Sequence, residues 1–172
     1  KDIEPYEETK IRILNGGHTS LAYLGALSGY STFDEVMNDP IHRRHFKQLQ
    51  HDEIVPSIGG ELPFDIYEYV DKVEERFSNA TNVDELDRIC MDGFTKFHTF
   101  VVPSLRKCLE QGNKPINIYK GIAAWYIYSR RFARGCTKIR YNEPNWTLLE
   151  PLLRDGAVDA FVSNERLWGD IP

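Results

Sequence analysis

The sequence predicts an all-α domain, and three observations support that fold class. Apolar residues recur at helical spacing through most of the 172 residues. Residues that cap helices stand before several of these stretches, and glycine or proline follows them. Strand and helix patterns do not alternate, and no glycine-rich nucleotide-binding motif follows a strand pattern. We therefore expect a multi-helical domain over residues 1–172.

The first predicted helix spans Tyr6 to Gly29, where leucine and isoleucine recur on one face and Gly29 ends the pattern. Gly16 and Gly17 are unusual inside such a helix, because two glycines cost about 2 kcal/mol relative to alanine. They predict either a local distortion or a close approach of another group to the backbone.

The next helices are marked by their first residues. Ser31–Thr32 is a typical N-cap for a short helix that ends near Asn38. Asp39–Pro40 then begins a helix that runs to about Ile54. Glycine and proline predict a loop over residues 56–63.

The remaining helical patterns follow the same logic. Asp65 can cap one helix, and Asn82 can cap another that breaks near Asp92–Gly93. Further helices are predicted over residues 100–109, 116–132, 148–153 and 158–167. The range 135–145 is the least regular and could hold a turn or a short strand pair.

Composition excludes several classes of function. The chain is 41% hydrophobic and 27% charged, as in an ordinary globular protein. A net charge of -5 gives no electrostatic footprint for nucleic acid or an anionic membrane. No apolar run approaches the roughly 20 residues that cross a bilayer, and no secretory signal is visible. The three widely spaced cysteines predict reduced, buried thiols in a cytoplasmic protein.

The segment from Lys10 to His18 is the best candidate for chemistry. On an α-helix, Lys10, His18 and Asn15 fall at about 0°, 80° and 140°, so they project into one sector. A lysine held in an apolar wall beside other cations loses its proton more readily and can accept one from an alcohol. Asn15 and His18 can donate to the oxygen that becomes alkoxide-like as hydride leaves. This arrangement requires no metal.

Plainer interpretations compete with this one. A lone lysine, asparagine or histidine on a helix is usually a surface charge, a cap or a satisfied polar residue. A metal site formed by His42, His45 and His51 lacks an acid or cysteine partner, so surface histidines are favoured. An aromatic sugar-stacking platform is less favoured than core packing for the residues that would form it, Tyr119, Trp125, Tyr126 and Tyr128.

The spacing K-x-x-x-x-N-x-x-H resembles the signature of the polyol-specific long-chain dehydrogenases, the family of mannitol dehydrogenase and fructuronate reductase. Other blocks are similar too: Tyr6-Glu7-Glu8, Ala22-Tyr23-Leu24-Gly25, Met37-Asn38-Asp39-Pro40, Arg76-Phe77-Ser78-Asn79, Cys90-Met91-Asp92-Gly93 and the terminal Gly169-Asp170-Ile171-Pro172. The resemblance covers about the first 105 residues well and is poor from Arg130 to Asn145.

The resemblance implies a role for each motif residue. It makes Lys10 the general base and places Asn15 and His18 on the reacting oxygen. Arg88 and Lys96 would hold the distal hydroxyls of the substrate, with Asp92 and Asn38 in support.

It further implies an NAD(P)-dependent oxidoreductase, independent of metal, that interconverts an open-chain polyol or aldonate and its keto form. The nicotinamide cofactor would be bound mainly by an N-terminal Rossmann-like domain of the same protein, which this chain lacks. The isolated chain should then be inactive. The alternative is a non-catalytic sugar-binding or interaction module that retains the helical scaffold. We expect no nucleic-acid or membrane partner.

Overall fold

The computed structural model describes residues 4–60, 62–81, 83–136, 140–155 and 157–171. This part of the chain is helical and contains no strand; one isolated antiparallel bridge joins Thr32 and Glu85. The all-α prediction is therefore confirmed. The α-helices are α1 Glu4–Thr9, α2 Gly17–Leu27, α3 Phe33–Asn38, α4 Pro40–Gln48, α5 Val55–Ser57, α6 Ile66–Phe77, α7 Leu86–Ile89, α8 Gly93–Lys96, α9 Val102–Glu110, α10 Ile116–Ala133, α11 Trp146–Leu149, α12 Val158–Val162 and α13 Glu165–Trp168.

Four further segments are helical without being α-helical. The π-helical segments are Lys10–Gly16, Leu49–Ile54 and Phe97–Val101, and Glu150–Leu153 is a 3₁₀ turn. The predicted helix over residues 6–29 is therefore α1, a π-helix and α2 in continuous succession. The helix predicted to begin at Asp39–Pro40 is likewise α4, a π-helix and α5, and it ends three residues beyond the expected Ile54.

The glycine pair serves both purposes that the sequence predicts. Gly16 ends the first π-helix and Gly17 begins α2. A Cβ atom on Gly16 would lie 2.8 Å from the carbonyl oxygen of Phe100, and one on Gly17 would lie 2.3 Å from Nε2 of Gln50. The distortion and the close approach are thus both present.

Helix capping follows the sequence. Glu35 accepts hydrogen bonds from the backbone N–H groups of Ser31 and Thr32, completing a capping box at α3. Asp39 accepts from the N–H of Ile41 at 2.6 Å, and Asp65 caps α6 in the same way.

Two predictions of helix boundaries are wrong. The helix predicted over residues 158–167 is split into α12 and α13, because Asn164 accepts two backbone hydrogen bonds and starts a new helix. The helix predicted to begin at Asn82 begins instead at Leu86, with Glu85 at its N-cap. Asn82 itself lies outside the described residues, as do residues 137–139 of the segment that could hold a strand pair.

The core is built around the packing of α2 against α10. Gly121 permits this approach, since a Cβ there would lie 3.0 Å from Cβ of Ser20. Trp125 and Tyr128 are buried in this core, and the Trp125 ring stacks on Phe97 with centroids 4.7 Å apart. Trp125 and Tyr128 therefore pack the interior as expected, whereas Tyr119 is exposed, contrary to that expectation.

The cysteines are only partly as expected. All three are free thiols, and Cys90 and Cys108 are buried. Cys136 is exposed, contrary to the prediction, because it follows the end of α10 in a turn. No helix in the described ranges is both long and apolar enough to span a bilayer.

Candidate active site

The motif residues lie on the continuous helix formed by α1, the π-helix and α2. Lys10 begins the π-helix and is exposed, Asn15 is partly buried near its end, and His18 is partly buried in α2. The angles expected for an α-helix do not apply here. In a π-helix, hydrogen bonds run from residue i to i+5, so residues five apart lie nearly one above the other. Lys10 and Asn15 are five residues apart and share one side of the turn.

The imidazole of His18 lies between two phenylalanine rings. Phe33 contacts it edge-on with centroids 4.3 Å apart, and Phe77 stacks on it with centroids 4.9 Å apart. Its Nε2 atom is buried and has no hydrogen-bond partner among the described residues. A buried polar atom without a partner is rare and marks a position where a ligand can bind.

Burial also sets the protonation state of His18. The pKa of the imidazole is lowered to about 4, mainly by removal from water; Asp84 opposes this shift, and the positive charges of Lys96, Arg88 and Arg76 add to it. The ring is therefore neutral at physiological pH. One of its nitrogens carries a hydrogen and can donate it to an oxygen atom without changing the charge of the site.

Arg88 and Lys96 act on His18 through their charges. Arg88 lies in α7, where its guanidinium is largely exposed and pairs with the carboxylate of Asp84. Lys96 ends α8, and its ammonium donates to the carbonyl oxygen of Ile89 at 2.7 Å. Burial lowers the pKa of Lys96. Both positive charges in turn lower the pKa of His18.

A tightly packed turn sets the separation of Arg88 from Lys96. Asp92 adopts a left-handed conformation with φ of 53°. Gly93 has no room for a side chain, since a Cβ would lie 2.3 Å from Nε1 of Trp125. The hydroxyl of Tyr23 donates a hydrogen bond to the carbonyl oxygen of Cys90 at 2.8 Å, which also holds this turn in place.

The segment 141–145, where the resemblance is poor, covers this turn. The N–H of Asp92 donates to the carbonyl oxygen of Asn142 at 2.8 Å. The carboxylate of Glu143 accepts from the N–H of Phe94 at 3.0 Å, which satisfies a free donor at the start of α8. The sequence held no signal for this role of Glu143, because Phe94 lies 49 positions away.

The supporting residues proposed from the resemblance are not brought together. Asp92 has a buried Oδ1 atom without a partner among the described residues and lies beside the Arg88–Lys96 turn. Asn38 is exposed at the end of α3, and its amide donates to the carbonyl oxygen of Ser78 at 3.2 Å. By contrast, Asp84 was not predicted as a site residue, although its position four residues before Arg88 is the spacing of a helical ion pair.

A polar cavity opens beside His18. Its volume is about 460 Å³, and it is lined by Phe33 and Phe77, the rings that hold the imidazole, together with Arg76, Thr81, Val83 and Asp84. A second, more apolar cavity of about 780 Å³ lies between α9, α10 and the C-terminal helices. None of the predicted site residues lines either cavity. We place the chemistry at the first one because Phe33 and Phe77, which hold His18, line it and do not line the second.

The histidines of α4 and its continuation occupy different environments. His42 is partly buried and contacts Ser28 and Asp39, and burial lowers the pKa of His45 to about 4. Only His51 is exposed, stacked on Tyr67, so the prediction of surface histidines is wrong for the first two. Within the described ranges, no group of three His, Cys, Asp or Glu side chains is arranged to hold a metal ion.

Comparison with known proteins gives consistent results. The chain is 39% identical to mannitol dehydrogenase 2 of Saccharomyces cerevisiae over 132 residues, covering 74% of this chain and 26% of that protein. It is 32% identical to D-arabinitol 4-dehydrogenase of Ralstonia nicotianae, covering 99% of this chain and 37% of that protein. The chain thus spans about a quarter to just over a third of the length of these relatives.

A solved structure shares the fold. It is the ternary complex of Pseudomonas fluorescens mannitol 2-dehydrogenase with NAD and D-mannitol, with a TM-score of 0.88 and 29% identity over 99% of this chain and 35% of that chain. The sequence profile described as "Mannitol dehydrogenase C-terminal domain" matches residues 2–172. This chain therefore belongs to the mannitol dehydrogenase family and corresponds to its C-terminal domain.

Proposed function

We propose that this chain supplies the catalytic half of an NAD(P)-dependent dehydrogenase that oxidises a secondary alcohol of an open-chain polyol or aldonate and reduces the ketone in reverse. The observation that carries the proposal is the His18 imidazole, which is neutral, held between two rings and has an Nε2 atom without a hydrogen-bond partner in the described part of the chain. Such a nitrogen fits the oxygen of an alcohol or ketone.

The chemistry divides between two parts of the full-length protein. When bound, the nicotinamide accepts the hydride, that is, the hydrogen and electron pair of the C–H bond. Among the described residues, His18 is suited to bind the substrate oxygen that reacts. They offer no strand followed by a glycine-rich turn that could cradle a pyrophosphate. We therefore assign dinucleotide binding to the rest of the protein, where the preference for NAD or NADP is also set.

In this mechanism Lys10 removes the hydroxyl proton as a neutral amine. The electron pair of the O–H bond forms the second bond of the carbonyl group as hydride leaves the same carbon. Asn15 and His18 donate hydrogen bonds to the oxygen, where negative charge develops in the transition state. Lys10 is exposed in this chain, so the apolar wall that favours its neutral form has to come from the rest of the full-length protein.

Arg88 and Lys96 would hold the remote hydroxyls of the substrate. A guanidinium and an ammonium can each donate several hydrogen bonds, and the charges of both side chains act on His18. The relatives named for mannitol and D-arabinitol support a polyol substrate. An aldonate would use the same cations to bind its carboxylate.

Kinetics of the full-length enzyme test this proposal. Lys10→Ala should lower kcat for D-mannitol oxidation by about 10²–10⁴-fold, the scale of a positioned general base. Arg88→Ala should mainly raise KM, because it removes binding that is present in ground and transition states alike. Lys107, another exposed lysine, is paired with Glu110 in α9, and Lys107→Ala provides the control.

A normal kcat in Lys10→Ala would rule out the proposed base. If instead the wild-type protein bound sugar and oxidised no polyol, the chain would be a sugar-binding module.

A further inference from the structure

Three π-helical segments meet behind the catalytic motif. Segments 49–54 and 97–101 both contact the first segment, Lys10–Gly16. The third segment presses the carbonyl oxygen of Phe100 against Gly16, and the second places the side chain of Gln50 against Gly17. Isolated π-turns are rare and occur often at functional sites. Here the contacts fall between Lys10 and His18, the first and last residues of the motif.

Gln50 makes the most specific of these contacts. It is fully buried, and its Nε2 donates to the carbonyl oxygen of Ile13 at 2.9 Å, in the middle of the first π-helix. Its own Oε1 atom is buried without a partner among the described residues. A buried amide that satisfies only half of its polar atoms adds little to stability, because the unpaired acceptor loses its hydration. The hydrogen bond to Ile13 therefore needs another explanation.

A second contact holds the same turn from the other side. Arg12 is buried, and its guanidinium donates to Ser104 Oγ at 2.6 Å and to Ser57 Oγ at 2.7 Å. Ser57 lies just after the second π-helix and Ser104 just after the third. Residues that follow the second and third π-helices thus hold Arg12, and Gln50 holds Ile13. The first π-helix is therefore held at two successive positions.

The form of this turn decides where the motif side chains point. In an α-helix, Lys10 and Asn15 would lie about 140° apart around the axis. With i to i+5 hydrogen bonds, they lie on the same side. We propose that Gln50 is a positioning residue, whose amide holds Lys10–Gly16 in its π-helical form and so directs Lys10 and Asn15 to one oxygen atom. This inference rests on the proposed function of these two residues.

The test uses the full-length enzyme with NAD and D-mannitol. Gln50→Met keeps the length of the side chain and also removes the unpaired oxygen, so the protein should remain folded. We expect kcat to fall at least tenfold, while KM for D-mannitol changes by less than about threefold, since Arg88 and Lys96 lie in elements that Gln50 does not hold. Gln50→Leu, a second variant that has no hydrogen-bond donor, should lower kcat in the same way. Tyr30→Phe also removes one side-chain hydrogen bond, to Asp39, and should leave kcat unchanged.

A double-mutant cycle separates positioning from general damage. If Gln50 acts through Lys10, Gln50→Met should lower the residual rate of Lys10→Ala by less than about twofold. Equal losses in both backgrounds, or a normal kcat in both Gln50 variants, would overturn the inference. A normal kcat in Lys10→Ala would instead overturn the proposed function. The two failures can be told apart, because the proposed function is tested by Lys10→Ala alone, without any Gln50 variant.

Discussion

At the scale of single residues, the identity of a site residue could be predicted and its surroundings could not. Lys10, Asn15 and His18 stand at a recognisable spacing, and Arg88 and Lys96 stand in a recognisable block. The rings that hold His18 come from Phe33 and Phe77, which lie 15 and 59 positions further along the chain. No pattern in one sequence joins residues so far apart, so the neutral, unpartnered imidazole emerges only from the fold.

The environment of His18 predicts a dependence of stability on pH. Its pKa is about 4 in the folded state and 6.5 in the unfolded chain, so the unfolded state binds the proton first as pH falls. His18 alone should therefore contribute a loss of about 2–3 kcal/mol of stability between pH 6.5 and pH 4.5, and none above about pH 7. Urea unfolding of the chain at pH 7.5 and 4.5 measures this loss.

Substitution identifies the group responsible. His18→Gln should be less stable at pH 7.5, because it loses the contacts with both rings, but its stability should decline less on acidification. His51→Gln changes an exposed histidine and should decline as the wild type does. Equal declines in the wild type and His18→Gln would contradict the assignment. Burial of His45 adds a similar loss in all of these proteins.

At the scale of elements, helix starts could be predicted from the sequence where a capping residue bonds to backbone groups close to it in the chain. Asp39 and Asp65 cap the helices that follow them, since a cap satisfies backbone groups two and three residues away. Only the first of the three π-helices was indicated in the sequence, by the pair Gly16–Gly17. The other two are held by contacts between distant segments, and their residues fit an α-helix equally well.

The turn between α7 and α8 gives a prediction at this scale. Gly93→Ala would place a methyl group 2.6 Å from the hydroxyl of Tyr23 and closer still to Trp125, both fully buried. We expect a destabilisation of about 2–3 kcal/mol or more, as for overpacked cores. In the full-length enzyme, KM for the polyol should rise as well, because the turn sets the separation of Arg88 from Lys96.

Gly59→Ala is the matched control, because nothing lies within 4 Å of the added Cβ and the loop is exposed. It should change stability by less than about 0.5 kcal/mol. Thermal and urea unfolding of both variants decide the point. A Gly93→Ala variant as stable as Gly59→Ala would show that the core around Trp125 can relax.

At the scale of the whole molecule, the fold class followed from helical periodicity and from the lack of alternating strands. The cavity beside His18, lined by residues of α3, α6 and the loop that follows α6, could not be predicted, because it depends on which helices pack together. The chain spans 35% of the length of the Pseudomonas fluorescens enzyme to which it is structurally similar. The activity proposed here therefore belongs to a larger protein.

Cofactor binding tests that division of labour. The 172-residue chain alone should show no measurable affinity for NADH in a calorimetric titration, since its described residues hold no strand-to-helix turn for a pyrophosphate. The full-length protein should bind NADH under the same conditions. Micromolar binding by the chain alone would mean that part of the dinucleotide site lies on this helical domain.

The π-helix of the motif also constrains how the sequence can vary in length. Each residue of an α-helix turns the chain by about 100°. Removing one residue between Lys10 and Asn15 and restoring an α-helix would therefore leave these side chains four positions and about 40° apart, still on one side. Insertion of one residue would place them six positions apart, about 120° from each other around an α-helix. Substitutions such as Ile11→Val leave the residue count intact. Between Lys10 and Asn15, a conservative substitution or a deletion is therefore more tolerable than an insertion.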